Sequence, residues 1–139
     1  MMNADQLAQV NAMCAGTLME TLGIRFVSAA KGIIAATMPV DARTIQPMGL
    51  LHGGATVALV ESLGSVGSHM LVDREKQAVV GLEVNANHLR PARSGNVTAT
   101  GRLMHQGRST HVWDIRVTND TGELLALCRL TNLIIEKRT

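Results

Sequence analysis

Between Ala55 and Val72 the chain is rich in Ala, Val, Leu and Met, and Glu61 is its only charged residue. An ionised carboxylate is costly to bury, and no Lys or Arg lies within four residues of this one. Such a group is a candidate nucleophile or general base. Two plainer readings compete: Glu61 lies on an exposed stripe of a helix, or it pairs with a distant Arg. Its helical neighbours Val57, Ala58, Gly64 and Ser65 offer only a hydroxyl.

His52-Gly53-Gly54 stands just before that run. At a helix start, unpaired backbone N–H groups and the positive end of the dipole hold an anion or a developing oxyanion, and glycine permits close approach. Taken alone, Gly-Gly also suits an ordinary loop and His52 a structural role. Gly53 and Glu61 are eight residues apart, about 12 Å along one helix, too far for both to act on one carbonyl. Two antiparallel copies of the helix about a two-fold axis would bring the start of one beside the middle of the other. The chemistry therefore requires at least a homodimer.

Other motifs are absent or incomplete. Gly64-Ser65-Val66-Gly67 lacks the GxSxG spacing of a nucleophile elbow. There is no Walker P-loop and no GxGxxG turn. His69 and Asp73 have i,i+4 spacing but no matching third ligand, so no metal is expected.

The elements that must position these groups follow from periodicity. Asn3 caps an amphipathic helix carrying Leu7, Val10, Cys14 and Leu18, with a break near Gly16 and an end near Leu22-Gly23. Ile24 to Ala29 and Ile33 to Pro39 read as a hairpin, and Asp41 to Leu51 as an ordered loop leading into the central helix over Ala55 to Val72. Four β-rich segments follow: Ala78 to Arg90, Val97 to His105, Thr110 to Thr118 and Glu123 to Ile135. In the third, Trp113, Ile115 and Val117 alternate with Asp114, Arg116 and Thr118. One apolar helix followed by strands joined by short turns implies an α+β domain spanning 1–139, with a mostly antiparallel sheet over the helix.

Composition removes several classes of partner. A formal net charge of +2, with Phe26 and Trp113 the only aromatics, gives neither a broad basic field nor base-stacking platforms, so nucleic acid is not expected. Cys14 and Cys128 lie far apart, which suits reduced thiols. No run approaches the ~20 apolar residues of a membrane span, and Met1 to Gln6 does not resemble a signal segment. A cytoplasmic protein without a membrane partner is expected.

The stretch Gln46-Pro47-Met48-Gly49-Leu50-Leu51-His52-Gly53-Gly54, followed by Glu61-Ser62-Leu63-Gly64-Ser65, resembles the hotdog-fold acyl-CoA thioesterases of the 4-hydroxybenzoyl-CoA thioesterase and PaaI-like group. The likeness is strongest to bacterial enzymes of enterobactin proofreading and of 1,4-dihydroxy-2-naphthoyl-CoA hydrolysis. It extends through Val79-Val80-Gly81, Asn85 to Pro91 and Gly107-Arg108. The resemblance implies that Glu61 is nucleophile or general base, that Gly53 N–H polarises the thioester oxygen, and that Gln46 and His52 orient the thioester or water. Ser65 would help position the water.

By the same resemblance Gly81, His88 and Arg90, with the turn holding His105, Gly107, Arg108 and Ser109, would line the coenzyme A channel; Leu89 stands where relatives can carry a second His. Coenzyme A is then part of the substrate, no separate cofactor is implied, and an acyl- or aryl-carrier protein is an alternative donor. A homotetramer is the expected assembly. Met48, Val57, Leu59, Val60, Val66 and Met70 are candidates to line an acyl pocket. Two other readings of such a chain are an acyl-CoA sensor without hydrolysis and a hotdog dehydratase or hydratase.

Overall fold

The computed structural model describes residues 1–138. Asn3 caps helix α1 (Ala4–Ala12) through a reciprocal capping box with Gln6, and Thr17 caps a short helix α2 (Leu18–Thr21), so the expected break falls around Met13 to Gly16. Strands β1 (Arg25–Ala30) and β2 (Ile33–Pro39) form the hairpin. Helix α3 (Gly53–His69) follows, then β3 (Gln77–His88), β4 (Asn96–Gln106), β5 (Thr110–Asn119) and β6 (Leu124–Glu136). The strands make one antiparallel sheet in the order β1-β2-β4-β5-β6-β3. The expected α+β architecture, a sheet wrapped around a central helix, is present. Among the described residues no helix is long and apolar enough to cross a membrane.

Helix α3 begins two residues earlier than its apolar run suggests, and it ends at His69 rather than Val72. His52 is the reason for the early start. It is the N-cap, in extended conformation (φ −70°, ψ 129°), and Gly54 N–H donates to its Nδ1 at 2.8 Å. That side-chain acceptor satisfies one orphan donor and draws both glycines into the first turn despite their poor helix propensity.

Small residues let α3 lie close to the sheet. A side-chain carbon at Gly67 would come within 2.7 Å of the Trp113 ring, and one at Gly101 within 2.8 Å of Leu63. Leu59, Val60 and Leu63 of α3 are fully buried, as are Ile115, Val117 and Leu130 of the strands facing it. Each such side chain contributes roughly 1.5–3 kcal/mol by burial. A polar clamp adds direction: Trp113 Nε1 donates to Ser68 Oγ at 2.9 Å, and Asn132 Nδ2 donates to Gly64 O at 3.1 Å and to Ser68 Oγ at 2.9 Å.

The two edges of the sheet differ. Along β1, Phe26 N–H donates to Asn11 Oδ1 and Phe26 O accepts from Asn11 Nδ2, while Met2 N–H donates to Ala29 O. Along β3, no strand covers the outer edge among the described residues, and Val80 and Leu82 are 42% and 60% exposed.

Candidate active site

At its start α3 meets a cleft of about 360 Å³ whose lining includes Gln46, Gly53, His88 and Arg90. The loop that carries Gln46 is held by Ile45 bridging Leu51, by His52 N–H donating to Thr44 O, and by Leu51 N–H donating to Ala92 O. Gln46 Oε1 accepts from Met48 N–H inside a tight turn, where Gly49 takes φ 76°. The Gly54 donor is taken by His52 and Ala55 and Thr56 bond back to His52 O, so Gly53 N–H is the first-turn donor without a partner among the described residues. The His88 ring packs against Gly53, its Nε2 3.0 Å from where a side-chain carbon would stand.

Glu61 lies on the flank of α3 that faces β3, half-buried rather than enclosed. None of the ion pairs among the described residues includes it, which removes the reading of a distant Arg partner in the same chain. Its Oε1 occupies the space that a side chain at Gly81 would need. One turn on, Ser65 Oγ sits 3.5 Å from Asn132 Oδ1.

Gly81 and His88 both face the helix although they are seven positions apart, an odd offset that in a regular strand would put them on opposite faces. A bulge between Gly81 and Glu83 accounts for this, turning Leu82 outward and resetting the alternation.

The residues singled out from the sequence therefore fall into two groups. Gln46, His52, Gly53, His88 and Arg90 gather at the start of α3. Glu61, Ser65 and Gly81 lie farther along it, toward the end of the sheet where Ile134 N–H donates to Ser109 O and where His105, near the end of β4, leads into the β4–β5 turn with Gly107 and Arg108. In β6 register, Ala126 opposes His88 and Leu133 opposes Thr110, a span of about 23 Å at strand rise. One chain does not bring the two groups together. Arg90 is also engaged locally, its Nε 3.1 Å from Glu123 Oε1 and its Nη1 donating to Leu124 O.

Other expectations are revised. Leu59 and Val60 are fully buried in the core, whereas Val66 borders a mainly apolar cavity of about 380 Å³ with Val10, Met13, Met19 and His69. Asn132 escaped the sequence reading, although an Asn within the apolar run Leu130 to Ile135 is the same kind of signal as Glu61 within α3. Among the described residues no three His, Cys, Asp or Glu side chains are grouped to hold a metal ion.

His111, across the sheet from Asn132, is 2% exposed, and its Nδ1 has no partner. Burial, and secondarily the nearby His105, hold its pKa below the ordinary value. Folded protein then binds this proton less readily than unfolded, so the stabilisation is complete above the unfolded value near 6.5 and is lost as pH falls through the folded one. His69 is shifted the same way, mainly by burial. Thermal melts from pH 7.5 downward should show Tm falling below about pH 6.5, with a shallower slope in His111→Gln; equal slopes would remove the assignment to His111.

A family model described as the thioesterase superfamily matches residues 48–126. The chain is 46% identical over 129 residues to the 1,4-dihydroxy-2-naphthoyl-CoA hydrolase of Escherichia coli, covering 93% of this chain and 94% of that one. It is 44% identical to the proofreading thioesterase EntH of Klebsiella pneumoniae, covering 93% of each. Its fold superimposes on the crystal structure of a point mutant of thioesterase PA1618 from Pseudomonas aeruginosa with a TM-score of 0.93, at 50% identity and 97% coverage of both chains.

Proposed function

Since the chain belongs to the thioesterase superfamily and is a thioesterase of the hotdog fold, we propose that it hydrolyses acyl- or aroyl-CoA thioesters at a site shared between two subunits. The observation that carries this reading is the separation along α3 of the unpartnered Gly53 N–H from the Glu61 carboxylate. Antiparallel pairing of two α3 helices unites the Gly53 of one subunit with the Glu61 of the other. The open edge of β3 and the exposed Val80 and Leu82 favour that pairing. A homotetramer built from two such dimers is the proposed assembly.

In the reaction Gly53 N–H, at the positive end of α3, stabilises the negative charge that develops on the thioester oxygen. Glu61 either attacks the carbonyl carbon, giving a mixed anhydride that water then opens, or takes a proton from the water that attacks. In both courses the carbon–sulfur bond breaks and the CoA thiolate leaves. Gln46 and His52 orient the thioester or the water, and Ser65 assists from the turn after Glu61. His88 and Arg90 serve the CoA portion from one subunit, and His105, Gly107, Arg108 and Ser109 from the other; for Arg90 this requires release from Glu123. CoA enters as part of the substrate and no cofactor is required. An acyl- or aryl-carrier protein is an alternative donor, and the free, buried Cys14 and Cys128 suit a cytoplasmic setting.

Subunit complementation tests the shared site. Glu61→Ala and Gly53→Pro subunits are each inactive as homodimers, but a mixed dimer contains one intact site. Random mixing should restore about one quarter of wild-type specific activity. A mixture no better than its parents would rule out sites built from two chains.

A further inference from the structure

We infer that Gly81 is a positioning residue for the reacting carboxylate: its missing side chain is the seat in which Glu61 Oε1 rests. This rests on the reading of Glu61 as the group that attacks or activates water. Among the described residues, and apart from its chain neighbours Val80 and Leu82, only Glu61 has atoms within 4 Å of where a Gly81 side-chain carbon would be: Oε1 and, at 3.4 Å, Cδ. The Gly81 backbone does not itself demand glycine, because its φ is not positive. The requirement for glycine comes from the carboxylate alone.

Neither support of the seat can withdraw. Asn132, the cross-strand partner of Gly81, holds α3 at Gly64 O and Ser68 Oγ. The same pairing fixes Gly81 to β6, beside a bulge between Gly81 and Glu83. A methyl group at position 81 is therefore accommodated by rotation of the Glu61 side chain. The fold survives and the carboxylate moves.

Glu61 has no ion-pair partner among the described residues to return it to place. A displacement of about 1 Å at a reacting group costs up to about 100-fold in rate. This gives Gly81 a different role from a channel-lining residue, whose loss would act on substrate binding.

The experiment is a double-mutant cycle read by steady-state hydrolysis of benzoyl-CoA. Gly81→Ala should lower kcat by about 10- to 100-fold with KM within about twofold, and with an unchanged Tm. In a Glu61→Asp background, where the carboxylate is one methylene shorter, the same substitution should cost less than about threefold. Additive effects would overturn the seat, as would a raised KM with wild-type kcat. If Gly81→Ala alone does not fold, Glu61→Ala/Gly81→Ala should fold with the Tm of Glu61→Ala; misfolding of both variants overturns the proposal. Wild-type turnover in Gly81→Ala beside an inactive Glu61→Ala sinks the seat and leaves the hydrolytic reading standing. Wild-type turnover in Glu61→Ala sinks both.

Discussion

Glu61→Gln is expected to lower kcat for acyl-CoA hydrolysis by roughly 10²- to 10⁴-fold, with KM nearly unchanged. Gln has the size and shape of Glu, so it still fills the space over Gly81 and leaves the packing of α3 against the sheet intact. What it loses is the basic, nucleophilic oxygen. Neither an anhydride nor a proton acceptor for water is then available, while contacts to the CoA portion persist. Release of free thiol, trapped with DTNB, measures the effect, and a thermal melt checks the fold. Full activity in Glu61→Gln would remove the central claim. A wild-type protein that binds acyl-CoA yet releases no thiol would point to a sensor, and an enoyl or 3-hydroxyacyl product to a dehydratase.

Gly53→Pro is the second substitution of large effect, about 10²- to 10³-fold in kcat, because it deletes a single backbone donor. The backbone conformation at this position suits proline. Proline is favoured at the first residue of a helix, and the preceding His52, at φ −70° and ψ 129°, already has the extended conformation that a following proline requires. The new ring crowds His88, whose Nε2 is 3.0 Å from the position of a side-chain carbon. Gly53→Ala is the control, since it brings the same carbon and keeps the N–H. The ratio of kcat between the Ala and Pro variants reports the donor itself, and a ratio near one would exclude Gly53 N–H from the reaction.

Much of this arrangement is legible in the residues. Trp113, Ile115 and Val117 alternate with polar residues because one face of β5 meets α3, and all three are buried. Glu61 stands out because its surroundings are apolar. The start of α3 is harder to read, since glycine's weak helix propensity hides a helix that a histidine caps from outside the usual set of capping residues. The bulge beside Leu82 has no marker in composition, so the common orientation of Gly81 and His88 could not be foreseen from strand periodicity. The division of the site residues between the two ends of the sheet depends on strand order, which local patterns do not encode. Only the eight-residue gap between Gly53 and Glu61 hinted at it.

The unequal edges of the sheet bear on how far association can run. The Asn11 amide stands in for a neighbouring strand at Phe26, and Met2 does the same at Ala29, so β1 offers few free groups to another chain. Among the described residues β3 is the more open template. Under the proposed pairing, joining β3 to β3 would use up that edge on both partners at once and leave a partly covered β1 strand at each end. If subunits pair as proposed, growth by strand addition through β3 stops at two chains, since among the described residues the opposite edge is partly occupied by Asn11 and Met2 and is a poor template for a fibre.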